Sequence, residues 1–427
     1  MNLWWITRGP EGPAPLATVS DRRYPTGPYG QLDMKRTPVI VACLLAAPGL
    51  SQAQRRERAR DVGVPLEGTP GPLNAITDVA GVEVGHRTLV AGHGPLVVGK
   101  GPVRTGVTAV FPRGKAADDP VFAGWFTMNG NGEMTGTTWV EESGFLWGPV
   151  MITNTHSVGV VRDAVIEWIV RQGRMLHDEW SLPVVAETWD GGLNDINGFH
   201  VTKADAWAAM DSARGGPVQE GNVGGGTGMV CNRFKGGIGT ASRRVATEGG
   251  YTIGVLVQCN YGARAPLRIA GVPVGREIPD LLPCREPCGG PRSERAARLA
   301  ADVGSIIIVV ATDAPLLPHQ LKRIAKRAAL GVGRLGGVAG NSSGDIFIAF
   351  STANPHASRD SGLAQVALFP DERITPLFEA TVQATEEAVV NAMLAAETMT
   401  GVDDLKVYAL PHDRLRDVLR KYNRLAP

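Results

Sequence analysis

Apolar positions in this chain fall into short runs of two periods, broken by glycine and proline. The longest β-type run is Ile306 to Val310, five β-branched aliphatics in succession. Such residues are stiff at χ1 and suit a strand covered on both faces. Similar runs predict strands at residues 82–84, 105–111, 182–186, 252–258 and 345–350. Apolar residues spaced i, i+3, i+4 predict a helix over 160–171, with Ser157 as its candidate cap. Further helices are read at 205–213, 318–330 and 376–398, and a helical tail at 293–301 after a Pro- and Gly-rich linker at 273–291. Sheets bracketed by helices recur without a repeating unit, which predicts a mixed α/β fold beginning near Pro65.

Composition narrows the partners. The 427 residues carry 43 Lys and Arg against 42 Asp and Glu, a net charge of +1. Nothing in that balance favours nucleic acid or an anionic membrane surface. The N-terminal region changes the picture more. From Met34 a basic Met-Lys-Arg precedes a short apolar run, 39–47, and a small-x-small site ending at Ala53. That is the pattern of a secretory signal peptide at 34–53, too short to span a bilayer. Residues 1–33 then read as an upstream extension; export to the periplasm or medium is the expectation if translation starts at Met34, and the cytoplasm if the extension blocks export.

Five cysteines are present. Cys43 lies in the signal. Cys231 and Cys259 sit in apolar surroundings and read as buried thiols, whereas Cys284 and Cys288 could pair in an oxidising compartment. No spacing suits a zinc site, and no metal or cofactor is expected.

Several segments invite chemistry. Gly221 to Gly228 is glycine-rich but lacks a phosphate-loop ending and has Met229 where a dinucleotide fingerprint needs glycine. Gly340-Asn341-Ser342-Ser343-Gly344 spells a nucleophile elbow around Ser342, yet a strand is predicted after it where the elbow needs a helix. Gly304-Ser305 stands at the mouth of the longest apolar strand. One reading is an ordinary strand opening. The other is a self-cleavage junction, in which the Ser305 hydroxyl attacks the Gly304 carbonyl and leaves Ser305 as a new N-terminus. Its α-amine, with a reference pKa of about 7.7 to 8.0, could then serve as the base for its own hydroxyl.

Residues 304–323 resemble the start of the small subunit in the DmpA-type aminopeptidases, the family that includes β-peptidyl aminopeptidases. Residues 67–79, Asn154-Thr155-His156-Ser157-Val158-Gly159, 221–229, Ser343-Gly344-Asp345-Ile346-Phe347 and Asn391-Ala392-Met393 resemble the same family in the same order. The resemblance covers roughly residues 62–427. It implies an αββα sandwich related to ornithine acetyltransferase and a cut after Gly304 into a large segment, 54–304, and a small one, 305–427. It also implies an oligomer of processed pairs, a tetramer in the family.

By position, the resemblance makes Ser305 the nucleophile, with Ser343 and Asp345 orienting its amine and hydroxyl. Some relatives carry glutamate where this chain has Asp345, which is one methylene shorter. Asn260 matches the oxyanion donor and Glu187 the carboxylate that receives the substrate's ammonium. Trp189 falls where some relatives have tyrosine, and its indole can donate a hydrogen bond but not accept one. The expected activity is release of N-terminal L-, D- or β-residues from peptides, amides or esters. Acyl transfer on the same scaffold and a non-enzymatic peptide binder are the alternatives.

Overall fold

The computed structural model describes residues 57–175, 178–246, 249–288, 304–359 and 361–426. The upstream extension, the export signal and the helical tail read at 293–301 lie outside the described residues. Ten strands form the two main sheets: β1 Glu83–Ala91, β2 Val103–Phe111, β3 Val121–Gly130, β4 Phe145–Leu146, β5 Val150–Asn154, β6 Val184–Thr188, β7 Gly237–Val245, β8 Tyr251–Asn260, β9 Ser305–Thr312 and β10 Gly344–Ser351. The principal helices are α1 Thr137–Ser143, α2 Val158–Arg171, α3 Lys203–Asp211, α4 Pro318–Arg334, α5 Thr375–Leu394 and α6 His412–Lys421. One sheet runs β1-β2-β5-β6, the other β4-β3-β10-β9-β8-β7.

β9 holds a central place in the larger sheet, antiparallel to β8 and parallel to β10. Its side chains alternate between two cores. Ile306, Ile308 and Val310 pack with Leu321 and Ile324 of α4. Ile307, Val309 and Ala311 pack against Val110, Ile152 and Ala186 of the other sheet. No face of the strand reaches water, which is why every position in its run is aliphatic. α2 and α3 cover the outer face of the smaller sheet, where Val158, Val161 and Ala206 meet Val107, Met151 and Val185. The layers therefore stack helix, sheet, sheet, helix, the expected αββα sandwich.

Several expectations change. Ordered structure begins before Pro65: Ala59 and Val62 are already in the core. Ser157 makes no side-chain cap on α2, because a single 3-10 turn, Thr155–Ser157, feeds straight into the helix. α4 continues through Gly331 and Gly333, where the sequence reads a glycine-rich loop. β3 and β7 were not predicted at all. β7 hides Thr240, Ser242 and Arg243 from water, and Arg243 meets the buried carboxylate of Glu387 on α5 at 2.8 Å. Glycine-rich 224–228 is a buried 3-10 turn packed against β1 and β2, with no open loop for a phosphate.

The cysteines require a correction too. Cys231 and Cys259 form a disulfide with Cα atoms 5.6 Å apart, and Cys284 bonds Cys288. Apolar neighbours cannot distinguish a buried thiol from a buried bridge in sequence, since the partner comes from a separate element. At the other end of the chain, the Ala426 N–H donates to the Gly63 carbonyl at 2.8 Å, so the last described residues return to the first.

Candidate active site

The ends of six strands meet at one end of the sandwich. Parallel β5 and β6 deliver Thr155 and Glu187, and β8 ends at Asn260. β9 and β10 begin there with Ser305 and Gly344, and β3 ends there with Asn129. Ser305 pairs across the sheet with Asn260 on one side and with Gly344 on the other.

The Gly344 N–H donates to Ser305 Oγ at 3.1 Å. By strand alternation the Ser305 hydroxyl shares the face of Ile307, between the two sheets. Gly304, just before it, is glycine for space: a Cβ there would fall 2.0 Å from the Asn260 carbonyl oxygen. The Gly304 φ lies outside the left-handed region, so space and not conformational freedom calls for glycine here. With the Gly304–Ser305 bond intact, the Ser305 nitrogen is an amide and cannot act as a base.

Ser343 and Asp345 bracket Gly344. The Ser343 hydroxyl donates to Asp345 Oδ2 at 2.7 Å, and both groups are buried. They stand on either side of Gly344, the residue whose N–H touches the Ser305 hydroxyl. Ser342, the elbow alternative, sits in the turn before β10, with its carbonyl accepting from Asn131 Nδ2 at 2.7 Å. A strand follows it, so the elbow geometry is absent.

Asn260 is held at both ends. Its Oδ1 accepts from the Val230 N–H at 2.8 Å, and its Nδ2 donates to the Trp189 carbonyl at 2.8 Å. An amide nitrogen carries two hydrogens, so one remains for another acceptor. Trp189 thus contributes its main chain to this arrangement, while its ring, partly exposed, lies against Gly191.

Glu187 is buried, and burial pushes its carboxyl above the usual range. Thr155 Oγ1 donates to Oε2, and the Glu133 N–H donates to Oε1 at 3.1 Å. Gly132 lets this carboxylate approach the start of β10, because a Cβ at Gly132 would lie 3.2 Å from Glu187 Oε1 and 3.0 Å from the Gly344 Cα. Sequence reasoning missed the role of this 129–133 segment. Asn129 Nδ2 donates to Ser343 Oγ at 3.1 Å, and the Asn131 N–H to the Ser343 carbonyl at 3.2 Å. The recurring Asn-Gly pairs were its only signal, and they read equally as a turn. Among the described residues, no cluster of three His, Cys, Asp or Glu side chains could hold a metal ion.

The sequence pattern of peptidase family S58 matches residues 74–407. The chain belongs to peptidase family S58. β-Peptidyl aminopeptidase BapA of Sphingosinicella microcystinivorans is 56% identical over 394 residues, 91% of this chain and 98% of that protein. BapA of Sphingosinicella xenopeptidilytica is 49% identical, over 89% of this chain and 95% of its own length. Among solved structures, the L-aminopeptidase D-Ala-esterase/amidase of Ochrobactrum anthropi is described as a prototype serine aminopeptidase and a variant of the Ntn hydrolase fold. It superposes with a TM-score of 0.79 at 50% identity, covering 86% of this chain and 99% of that one. A Burkholderia sp. β-aminopeptidase gives 0.76 at 46% identity, with 86% and 99% covered. This S58 chain is therefore a hydrolase, an aminopeptidase on the Ntn hydrolase fold.

Proposed function

We propose that the protein cuts itself between Gly304 and Ser305 and then uses Ser305 to release N-terminal residues, β-amino acids among them, from peptides, amides and esters. The observation that carries this reading is the place of Ser305: first residue of a central strand, hydroxyl held by the Gly344 N–H, directly opposite Asn260. Attack of Ser305 Oγ on the Gly304 carbonyl exchanges the peptide bond for an ester and gives the nitrogen a proton. Water then hydrolyses the ester to a Gly304 carboxylate and a Ser305 amine.

In turnover the freed amine takes the hydroxyl proton as Oγ attacks the substrate carbonyl. The oxyanion faces the uncommitted Asn260 N–H, a type of contact worth a factor on the order of a hundred or more in rate. The amine hands its proton to the leaving group, and water releases the acyl-enzyme. Ser343 and Asp345 hold the amine in place. Glu187 pairs with the substrate's ammonium, which limits attack to the first residue. A buried anion favours a free amine over an N-acetylated donor, so hydrolysis is preferred to the ornithine-type acyl transfer.

Two disulfides suit an oxidising compartment, in keeping with an export signal at 34–53. Assembly into four processed pairs belongs to the same reading, and light scattering checks it. The deciding experiment is an intact-mass spectrum of wild type beside Ser305→Ala, followed by assay with β- and α-residue amides. Two chains in the wild type, the smaller beginning at Ser305, and one inactive chain in the variant are expected. A wild type that stays whole yet active would sink the proposal.

A further inference from the structure

The Cys231–Cys259 disulfide lies at an unexpected place. Cys259 immediately precedes Asn260, and Cys231 immediately follows Val230, whose N–H fixes Asn260 Oδ1. Alternation along β8 sends the Cys259 side chain into the helix-side core and the Asn260 amide to the inter-sheet face. The bridge therefore ties together the backbone that carries the amide and the backbone that aims it, from behind the sheet.

Val230–Cys231 and Phe234–Lys235 pair as a small antiparallel hairpin, and other contacts fix it. The Asn232 N–H donates to the Tyr261 carbonyl at 2.7 Å. The fully buried Lys235 Nζ donates to the carbonyls of Met229 and Gly236, each at 2.8 Å. Lys235 thereby holds the residue just before Val230 to the far side of the hairpin. The Asn260 carbonyl also crowds Gly304, so a shift of this strand end would be felt at the nucleophile.

We propose that the Cys231–Cys259 disulfide is a positioning element for catalysis, locking the Asn260 amide at the distance the oxyanion requires. The inference rests on the reading of Asn260 as oxyanion donor. Loss of the bridge leaves Glu187 and the ammonium contact untouched, so it lowers kcat and spares KM.

The test uses the processed enzyme. Peptide mapping without reduction first asks whether Cys231 and Cys259 share one cross-linked fragment; two free thiols would overturn the proposal. The double variant Cys231→Ala, Cys259→Val, which keeps the site apolar, is then compared with wild type, with Asn260→Ala and with the triple variant. Expected is a kcat lower by about tenfold to a hundredfold in the double variant, with KM within about twofold. In the Asn260→Ala background the same replacement costs nothing further, because the two changes act through one group. Should the double variant not fold, Cys231→Ser alone, which leaves the Cys259 thiol to fill its site, carries the same comparison.

A double variant with lower Tm but wild-type kcat overturns the positioning role. So does an equal loss of kcat with Asn260 present or absent. If Asn260→Ala itself keeps full kcat, the oxyanion reading falls, and the proposal falls with it. The first two failures leave that reading standing, so the outcomes are distinct.

Discussion

A carboxylate out of water waits for a cation, and Glu187 is such a group. Burial raises its pKa, so it takes up a proton at a pH where an ordinary glutamate is still charged. A neutral carboxyl does not hold an ammonium. The KM of amine substrates should therefore rise on the acid side, starting above the usual carboxylate range, and Glu187→Gln should show a high KM with no such rise. Steady-state kinetics against pH reads both.

Gly304→Ala places a methyl group against the Asn260 carbonyl, and a chain that stays uncut on mass analysis is expected. Asp190, wholly buried, has its pKa raised to about 6 from 3.8 by burial. Between those values the folded protein keeps a proton that the unfolded chain has lost, so stability falls as pH rises through the window. Above it the cost is complete, about 3 kcal/mol. Melting temperatures of wild type and Asp190→Asn against pH should differ in slope between pH 4 and 6 and run parallel above it.

At this scale the sequence singles out Ser305, Ser343, Asp345, Asn260 and Glu187 only through their resemblance to family motifs. It does not reveal the cover over them. Asn129 and Asn131 look like turn residues, yet Asn129 lies in β3, and only the meeting of β3 with β10 puts their amides on Ser343.

At the level of elements, β9 announces itself and β7 does not, for one physical reason. β9 is buried among aliphatics on both faces, so hydrophobicity reports its burial. β7 is buried with its charges paired, and its polar letters conceal the same fact. Arg243 of β7 meets Glu387 of α5, and Arg60 reaches the same carboxylate at 3.0 Å. Arg243→Met leaves Glu387 buried with one counter-ion fewer and should cost about 3 to 5 kcal/mol in denaturant melts. The double replacement Arg243→Met, Glu387→Leu should recover much of that loss, since paired removal is far cheaper than orphaning one partner. Cross-element bonds of this kind have no period and no local motif. That also explains why the Cys231–Cys259 pair escaped a reading based on neighbours in sequence.

On the scale of the whole molecule, the order β4-β3-β10-β9-β8-β7 interleaves the two sides of the Gly304–Ser305 junction. Residues after the junction supply the two middle strands and the helices α4 and α5 that cover them, while residues before it supply the strands on either flank. The cores on both faces of the larger sheet draw on residues from both portions. After the proposed cleavage the two chains should co-elute in gel filtration until denatured, and residues 305–427 expressed alone should be insoluble. The mixed α/β class was legible from the alternating periods, because the elements are locally patterned, and the αββα layering from the family resemblance alone. The strand order was not, because it depends on pairings across more than a hundred residues.

The return of Ala426 to Gly63 gives this architecture one more consequence. Because these described residues meet, the segment 57–426 suits circular permutation: a short glycine linker would join the region of Ala426 to that of Glu57, and the gene would open at Ser305. Removal of the initiator methionine would then expose the serine amine directly. Under the proposed function such a permutant would be born with its catalytic end free, its competence no longer dependent on breaking its own backbone, and maturation and turnover could be timed separately.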